Sequence, residues 1–353
     1  MRLLFIALML GWISTPATAE VTASVPVRVV VITAFEIGED TGDKAGEFQA
    51  WATAYPQKLS FPAGARDLRF DRKNGVLILN TGIGTARAAT AVMALGTDPR
   101  FDLSRAYWLV AAIAGANPNE TSVGSAAWIG QIIDTDYGYE IDSREIPAGW
   151  STGRLPIDRT TPYQQPISLD SSSNLFPLNA GLCNWAYTLT RSIALPDNDT
   201  LRAIRSRYTI YPKALHPPSI MLGDEVTGQT FWHGKLLNDY AEEWTRYWTK
   251  GSGTFVMTAM EDSGVARALN VLGALGKVDA KRLMVLRTGS NYSVQAPGVT
   301  AAESLAHENS ELSALQSSLD AAYLVSRKVV DEISGNWGKY ADVIPGTVKA
   351  PSP

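Results

Sequence analysis

The chain is poor in the residues on which much metal and redox chemistry depends. It carries one cysteine, Cys183. That rules out an internal disulfide framework, and a chain of 353 residues can bury a core that needs none. Cys183 falls within an apolar helical pattern and reads as a small core residue, not a nucleophile. Histidine is nearly as scarce: His216, His233 and His307 are the full set. Neither His-x-x-x-His nor Cys-x-x-Cys spacing occurs, so no zinc or other metal site is expected, and nothing implies a cofactor. There is no basic run and the formal net charge is −4, which argues against nucleic acid as a partner. Beyond the N-terminus no stretch reaches roughly 18 uncharged apolar residues. The chain therefore has no helical membrane span with which to form a pore of its own.

The N-terminus is where apolar residues do concentrate. Arg2 precedes the run Leu3 to Ile13, which is followed by Ser14-Thr15-Pro16-Ala17-Thr18-Ala19. A basic start, a short apolar run and an Ala-x-Ala site describe a secretory signal peptide over residues 1–19, with cleavage after Ala19. The expectation is an exported protein, periplasmic or secreted.

After residue 20, apolar strand patterns alternate with helical ones. Strands are expected over Val27–Ala34, Gly75–Asn80, Ala106–Ala114, Gly124–Asp134, Ser219–Leu222 and Arg282–Arg287, with a further apolar run leading to Met260. Helices are expected over about Lys44–Tyr55, Thr85–Leu95, Asn179–Ile193, Asn198–Arg205, His233–Trp248 and Glu303–Ile333. Such alternation indicates an α/β domain with a largely parallel sheet, here spanning 20–337. A Pro- and Ser-rich stretch at about 142–177 interrupts the pattern. It reads as an irregular insertion, either a lid over a site or surface decoration. Residues 338–353 read as a flexible tail.

Several strand ends carry residues suited to ligand binding. In open α/β sheets, ligands sit beyond the carboxyl ends of the strands. Glu261 closes the apolar run Phe255–Met260 just before a helical pattern. Its carboxylate can accept hydrogen bonds from a vicinal diol, or it can serve simply as a helix N-terminal acid favoured by the dipole. Thr81-Gly82-Ile83-Gly84-Thr85 links a strand to a helix, as either a ligand cradle or a plain tight turn. No Gly-Lys-Ser/Thr follows, and the third glycine of Gly-x-Gly-x-x-Gly is missing, so it is neither a Walker loop nor a dinucleotide fingerprint. Phe231 and Trp232 end a polar, glycine-punctuated loop and could stack on a flat ring or plug a core. Ser290 and Asn291 emerge from the last strand. An asparagine amide both donates and accepts, which suits a purine edge, although an Asx turn accounts for it as well.

Taken in order, Glu36, Gly82-Ile83-Gly84, Ala114-Gly115, Thr227 to Phe231, Met260-Glu261 and Ser290-Asn291 resemble the nucleoside phosphorylase and nucleosidase superfamily over about residues 27–334. The wording Thr-Gly-Gln-Thr-Phe-Trp-His-Gly and Arg-Thr-Gly-Ser-Asn-Tyr, together with the signal peptide, is similar to the purine nucleoside permease family. The resemblance implies a three-layer phosphorylase/nucleosidase-like fold, with a central mixed, mostly parallel sheet flanked by helices. It implies that Met260 and Glu261 hold a ribose and that Phe231 contacts the base. Asn291 then addresses N7 and a 6-oxo group, with Ser290 and Gly115 beside it. Thr81 and Thr85, flanking Gly82 and Gly84, touch a phosphate or water position. Glu36 stands for the acidic residue that activates water, with Glu39 as its rival. The catalytic pair so implied is Glu36 and Asn291. One departure bears on the chemistry: the strand before Gly115 lacks the arginine that phosphorylases commonly place near phosphate. Arg87 could compensate, with a helix-surface role at least as natural. Hydrolysis is therefore favoured over phosphorolysis. The resemblance further implies purine nucleosides as ligands, a homo-oligomer, and a membrane transporter as partner if the chain only captures its ligand.

Overall fold

The strand Val29–Thr33 (β1) is buried at every position. Its alternate residues serve two different cores. Val30 and Ile32 join one apolar cluster, and Val29 and Val31 the other. That is why the segment reads as an unbroken apolar run: a strand covered on both faces has no polar side to show. The computed structural model describes residues 24–168, 171–307 and 314–347. The expected signal peptide lies outside the described residues.

Further strands follow in chain order: Lys58–Leu59 (β2), Leu68–Asp71 (β3), Val76–Asn80 (β4), Tyr107–Ala116 (β5), Ala126–Asp134 (β6), Leu175–Pro177 (β7), Ile220–Thr227 (β8), Phe255–Ala259 (β9) and Leu283–Tyr292 (β10). They form one 10-stranded sheet in the order β7-β6-β8-β9-β5-β1-β4-β3-β2, with β10 pairing both β5 and β6. The double pairing of β10 closes β6, β8, β9, β5 and β10 into a ring. The long ladders β5–β10, β6–β8, β1–β4 and β1–β5 are parallel. The outer strands and the β6–β10 closure are antiparallel.

Helices cover both faces. They are Gln49–Ala54 (α1), Thr85–Gly96 (α2), Ala180–Thr190 (α3), Asp199–Arg205 (α4), Lys235–Trp248 (α5), Asp262–Ala274 (α6), Ala301–Ala306 (α7), Leu315–Gly335 (α8) and Trp337–Tyr340 (α9). On one face, Ala88, Val92 and Leu95 of α2 and Val265, Leu269 and Leu272 of α6 meet the sheet. On the other, Trp51 of α1, Leu182 and Ala186 of α3, and Val325, Val329 and Ile333 of α8 do so. The expected three-layer α/β architecture is what forms. Packing between α2 and α6 also fixes where their N-termini meet. Leu272→Ala should cost about 2–5 kcal/mol through lost burial and a residual cavity, measured as a shift in urea unfolding; a change below 1 kcal/mol, roughly the level of a surface substitution, would mean that this layer does not bear on stability.

Several expectations need correction. The strand at Ser219–Leu222 runs on to Thr227, because Asp224 and Glu225 are buried within the sheet across a bulge that follows Gly223. The last strand likewise continues through Thr288 to Tyr292, so Ser290 and Asn291 stand on a strand and not in a loop. The single helix expected over Glu303–Ile333 is two helices among the described residues, with His307 capping the first. Helix α1 begins at Gln49, five residues after its expected start. The residues before it form a loop tied down by Asp40, which is ion-paired to Lys58, Arg66 and Arg69. The expected tail from 338 is packed as far as Ala341: Tyr340 is buried, and Arg282 donates to Tyr340 O and Ala341 O. Cys183 is a core residue whose thiol reaches Ile129 O, and burial pushes it up to about 12.

Candidate functional site

Where the ring strands β5, β9 and β10 meet the end of β1, they enclose a cavity of about 300 Å³. Among its lining residues are Glu47, Gly115, Phe231, Met260, Glu261 and Asn291, with Ile83, Thr258, Arg287 and Ser290 beside them. Six of the residues singled out from sequence thus converge: Gly115, Phe231, Met260, Glu261, Ser290 and Asn291. They come from four chain segments far apart in sequence, brought together by the ladder β5–β10 and by the handover from β9 to α6.

Glu261 stands at that handover as the N-cap of α6. It is buried, at 4% exposure, and committed on both oxygens. Gly84 N donates to Oε1 at 3.1 Å. Arg287 Nη2 donates to Oε2 at 2.9 Å. The Gly82-Ile83-Gly84 turn is therefore what delivers a backbone N–H to this carboxylate. Gly84 sits at φ 104, and a Cβ there would lie 2.2 Å from Gln229 Nε2, so only glycine fits. Met260 N lies a further 3.4 Å from Oε2; each carboxylate oxygen has two lone pairs, so Glu261 retains acceptor capacity toward the cavity chiefly on Oε1.

Arg287 was not anticipated. It is 2% exposed and bonds to Asp262 through Nε (2.8 Å) and Nη2 (2.7 Å), to Glu261, and to Ile113 O (2.9 Å). The guanidinium is held by a fork-on-carboxylate geometry and is oriented before any ligand arrives. In the sequence it ends an apolar run and looked like a strand terminus.

Glu47 was missed as well, because it sits where a helix surface was expected. Gly46 allows it to reach the cavity: a Cβ on Gly46 would lie 2.7 Å from Glu36 Cα, so the chain passes close against the start of its own loop. Glu47 N then donates to Phe35 O, and buried Phe48 anchors the next residue. The carboxylate accepts Ala34 N at 2.6 Å and Ile113 N at 2.8 Å. Burial raises its pKa to about 7, against the lowering effect of Arg287 and with a further rise from Glu261. A carboxyl poised near neutrality inside a cleft has the titration expected of a general base.

The other sequence candidates lie elsewhere. Glu36 is half-buried outside the cavity lining. Its Oε1 accepts Ile37 N at 2.9 Å and also Gly46 N, and burial raises its pKa, so it braces the loop that presents Glu47. Glu39 is exposed. Thr81 is buried and its hydroxyl lies 2.9 Å from Gly82 O and 3.3 Å from Thr33 O. Thr85 reaches Met260 O at 3.1 Å, tying α2 to the Met260-Glu261 pair. Gly82 shapes the turn. Arg87 and Thr81 open onto a separate surface groove with Ala65 and Thr90. Among the described residues of the 142–177 insertion none lines the cavity. Instead Tyr163 lies over Trp244 and Tyr247 of α5, while the last residues of the stretch, read as irregular, form the edge strand β7 against β6.

Asn291 is half-buried, with Nδ2 donating to Tyr292 O at 3.1 Å and Oδ1 lying 3.1 Å from the Ser290 hydroxyl. Its amide orientation is thereby set. Gly115 N is bonded to Thr258 Oγ1 at 2.9 Å, which draws β5 and β9 together beneath Asn291. Phe231 is half exposed, at 49%, and presents a flat apolar face at the mouth.

Comparisons with known proteins bear on the family and the fold. A family model described as purine nucleoside permease matches residues 26–345. A chain of Schizosaccharomyces pombe named as a probable purine nucleoside permease is 30% identical over 267 residues, covering 73% of this chain and 76% of its own length. A purine nucleoside permease of Candida albicans is 25% identical over 315 residues, covering 88% and 76%. Among solved structures, futalosine hydrolase of Helicobacter pylori superposes with a TM-score of 0.53 at 12% identity, over 87% of this chain and 98% of that one. The 5'-methylthioadenosine/S-adenosylhomocysteine nucleosidase of Neisseria meningitidis, in complex with methylthio-immucillin-A, gives 0.50 at 14%, over 86% and 99%. At such identities the likeness is one of fold.

Proposed function

We propose that this chain, which belongs to the purine nucleoside permease family, binds purine nucleosides in the cavity between β1, β5, β9 and β10 and cleaves their N-glycosidic bond with water. The observation that carries the reading is Glu47, a carboxyl near neutral pKa that shares one cavity with Glu261. Glu261 accepts the ribose diol, with Met260 packed beneath the sugar. Phe231 contacts the base, and the one Nδ2 hydrogen of Asn291 not given to Tyr292 O is donated to the purine edge at the 6-oxo group and N7. Glu47 takes a proton from water as the oxygen adds to the anomeric carbon. The glycosidic electron pair leaves with the purine, whose growing negative charge the Asn291 amide stabilises.

The anion-binding groups support water over phosphate. The backbone N–H groups of Ala34 and Ile113 are already bonded to Glu47. At the start of α2, Gly84 N is bonded to Glu261 and Ala86 N to Gln229. Arg287, the one arginine in the lining, is bound to two carboxylates and a carbonyl. A phosphate placed here would meet two acidic side chains and no uncommitted cation.

Purified protein incubated with inosine or guanosine tests this. Free base should appear at the same rate with and without phosphate. Binding without release would leave a nucleoside-capture protein, and release only with phosphate would overturn the preference for water. The capture reading has its own support: among the described residues no helix is long and apolar enough to cross a membrane. A permease-family chain of this kind would hand its ligand to a membrane transporter. Export through the signal peptide, a periplasmic or secreted location and a homo-oligomeric state complete the proposal.

Base choice gives a further prediction. Asn291→Asp removes the amide donor, so 6-oxopurines lose a hydrogen bond that 6-aminopurines do not need. The inosine-to-adenosine affinity ratio should fall by about tenfold or more. An unchanged ratio in a calorimetric titration would remove Asn291 from base recognition.

A further inference from the structure

Beneath the ribose-binding carboxylate lies a charge cluster that the proposed reaction does not use. Glu225 on β8 and Asp262 at the start of α6 are both fully buried. With Glu261 they crowd around the single guanidinium of Arg287. Arg287 Nε lies 3.7 Å from Glu225 Oε2, too far to bond, and its hydrogen already goes to Asp262. If every carboxyl were ionised, neither oxygen of Glu225 would have a hydrogen-bond donor. Its ladder partners, Ile132 on β6 and Met257 on β9, are apolar. The groups that face it are Asp262 and Glu261 from the α6 end and Arg287 from β10. Two adjacent buried carboxylates do not both ionise when a shared proton can bond them.

We propose that Glu225 holds a proton shared with Asp262, and that this pair fixes Arg287 so that Glu261 keeps free acceptor capacity for the ligand diol. Asp262 takes both Nε and Nη2 of the guanidinium and leaves a single Nη2 contact for Glu261. Without that grip, the fork of Arg287 would turn onto Glu261 and occupy both its oxygens. Ionised, Glu225 would repel Asp262 and loosen the grip. Burial first, and then the charge of Asp262, holds the Glu225 carboxyl well above the usual carboxylate range, in line with the geometry. Glu225 and Asp262 are thus positioning residues, and the pair makes ribose binding sensitive to alkali.

The role in ribose binding rests on the nucleoside reading above; the shared proton does not, so the test has two arms. The ligand-free arm compares the thermal midpoint of the whole protein with that of Glu225→Gln across pH. An acid whose pKa is raised by folding stabilises fully below its unfolded pKa, and that contribution is lost as pH rises toward the folded value. The wild-type midpoint should therefore fall relative to Glu225→Gln as pH rises above about 4.5, while Glu47, present in both, cancels. Parallel curves, or failure of the neutral isostere to fold, would overturn the shared proton. The ligand arm titrates inosine. Wild-type affinity should weaken on the alkaline side, Glu225→Gln should not, and Asp262→Asn should lose about tenfold or more at neutral pH. Identical pH profiles for wild type and Glu225→Gln, or an unaffected Asp262→Asn, would overturn the positioning role. If no variant binds inosine at all, the nucleoside reading fails while the stability arm still reports on the proton.

Discussion

Glu47→Gln should slow glycosidic cleavage by at least about 100-fold and leave nucleoside binding nearly intact. The substitution keeps the shape of the side chain and one carbonyl oxygen to accept from Ala34 N or Ile113 N, which it now holds at 2.6 Å and 2.8 Å. What it removes is the ability to take a proton from water. Positioned general bases contribute about 10²–10⁴-fold, so the release of hypoxanthine from inosine should fall by at least about 100-fold, with Kd changed by less than about threefold, under 1 kcal/mol. Glu36→Gln should have a much smaller effect, because Glu36 braces the loop and does not line the cavity. Equal losses for the two variants, or full activity in Glu47→Gln, would send the base back to the loop.

The same residue sets the pH behaviour. Only ionised Glu47 can act as base, so the rate should rise with pH through about 7 and then level off. Its contribution to stability runs the other way. Folding raises its pKa above the unfolded value, so the stabilisation is complete in acid and is lost as pH rises toward 7. The site should therefore be most active where this group contributes least to stability, a conflict expected where a charge is used in a buried cleft. A rate profile that instead falls through pH 7 would identify Glu47 as an acid.

How far the sequence reveals the site depends on which residues follow local rules. Strands buried on both faces announce themselves as apolar runs, and β1, β4 and β5 appear within two residues of expectation. Gly84, Met260 and Glu261 stand at the junctions where an α/β sheet presents its ligands, so their placement could be read from order alone, whereas Asn291 lies within β10, which runs on past its expected end. Glu47, Glu225, Asp262 and Arg287 could not. Two break the local rule for their element, Glu225 as an acid inside a strand and Arg287 as a cation at the end of an apolar run, while Glu47 just before a helix and Asp262 in a first helical turn satisfy the helix dipole so well that nothing local marks them. Their meaning comes from partners far away in the chain, as when Arg287 meets Asp262 across 25 positions. A cluster of carboxyls around one arginine is a tertiary fact. Asp224-Glu225 follows Gly223 after the expected strand Ser219–Leu222, and two acids there read locally as the start of a polar loop.

Glu261→Ala should weaken inosine binding by about 100-fold and hypoxanthine binding by less than about threefold. The estimate follows from two hydrogen bonds between an ionised acceptor and the ribose hydroxyls, each contributing about 1.5–3 kcal/mol, less what water recovers in the space left by the side chain. The difference between the two ligands is what matters, because Glu261 also has a structural claim on Gly84 N and Arg287. That claim is limited. After the substitution Arg287 keeps Asp262 on two atoms and Ile113 O on a third, so it is not left as an unpaired buried charge, and the variant should fold. A purely structural Glu261 would shift both ligands together, through a misplaced α2 N-terminus that distorts the whole cavity. A ribose ligand shifts only the one that carries a sugar. 2'-Deoxyinosine provides the internal control. It keeps a single hydroxyl for Glu261, so it should bind wild type more weakly than inosine and lose less than inosine does on Glu261→Ala. Equal losses for inosine and hypoxanthine would reduce Glu261 to a cap on α6 and remove the ribose from the site, whatever Glu47 does there.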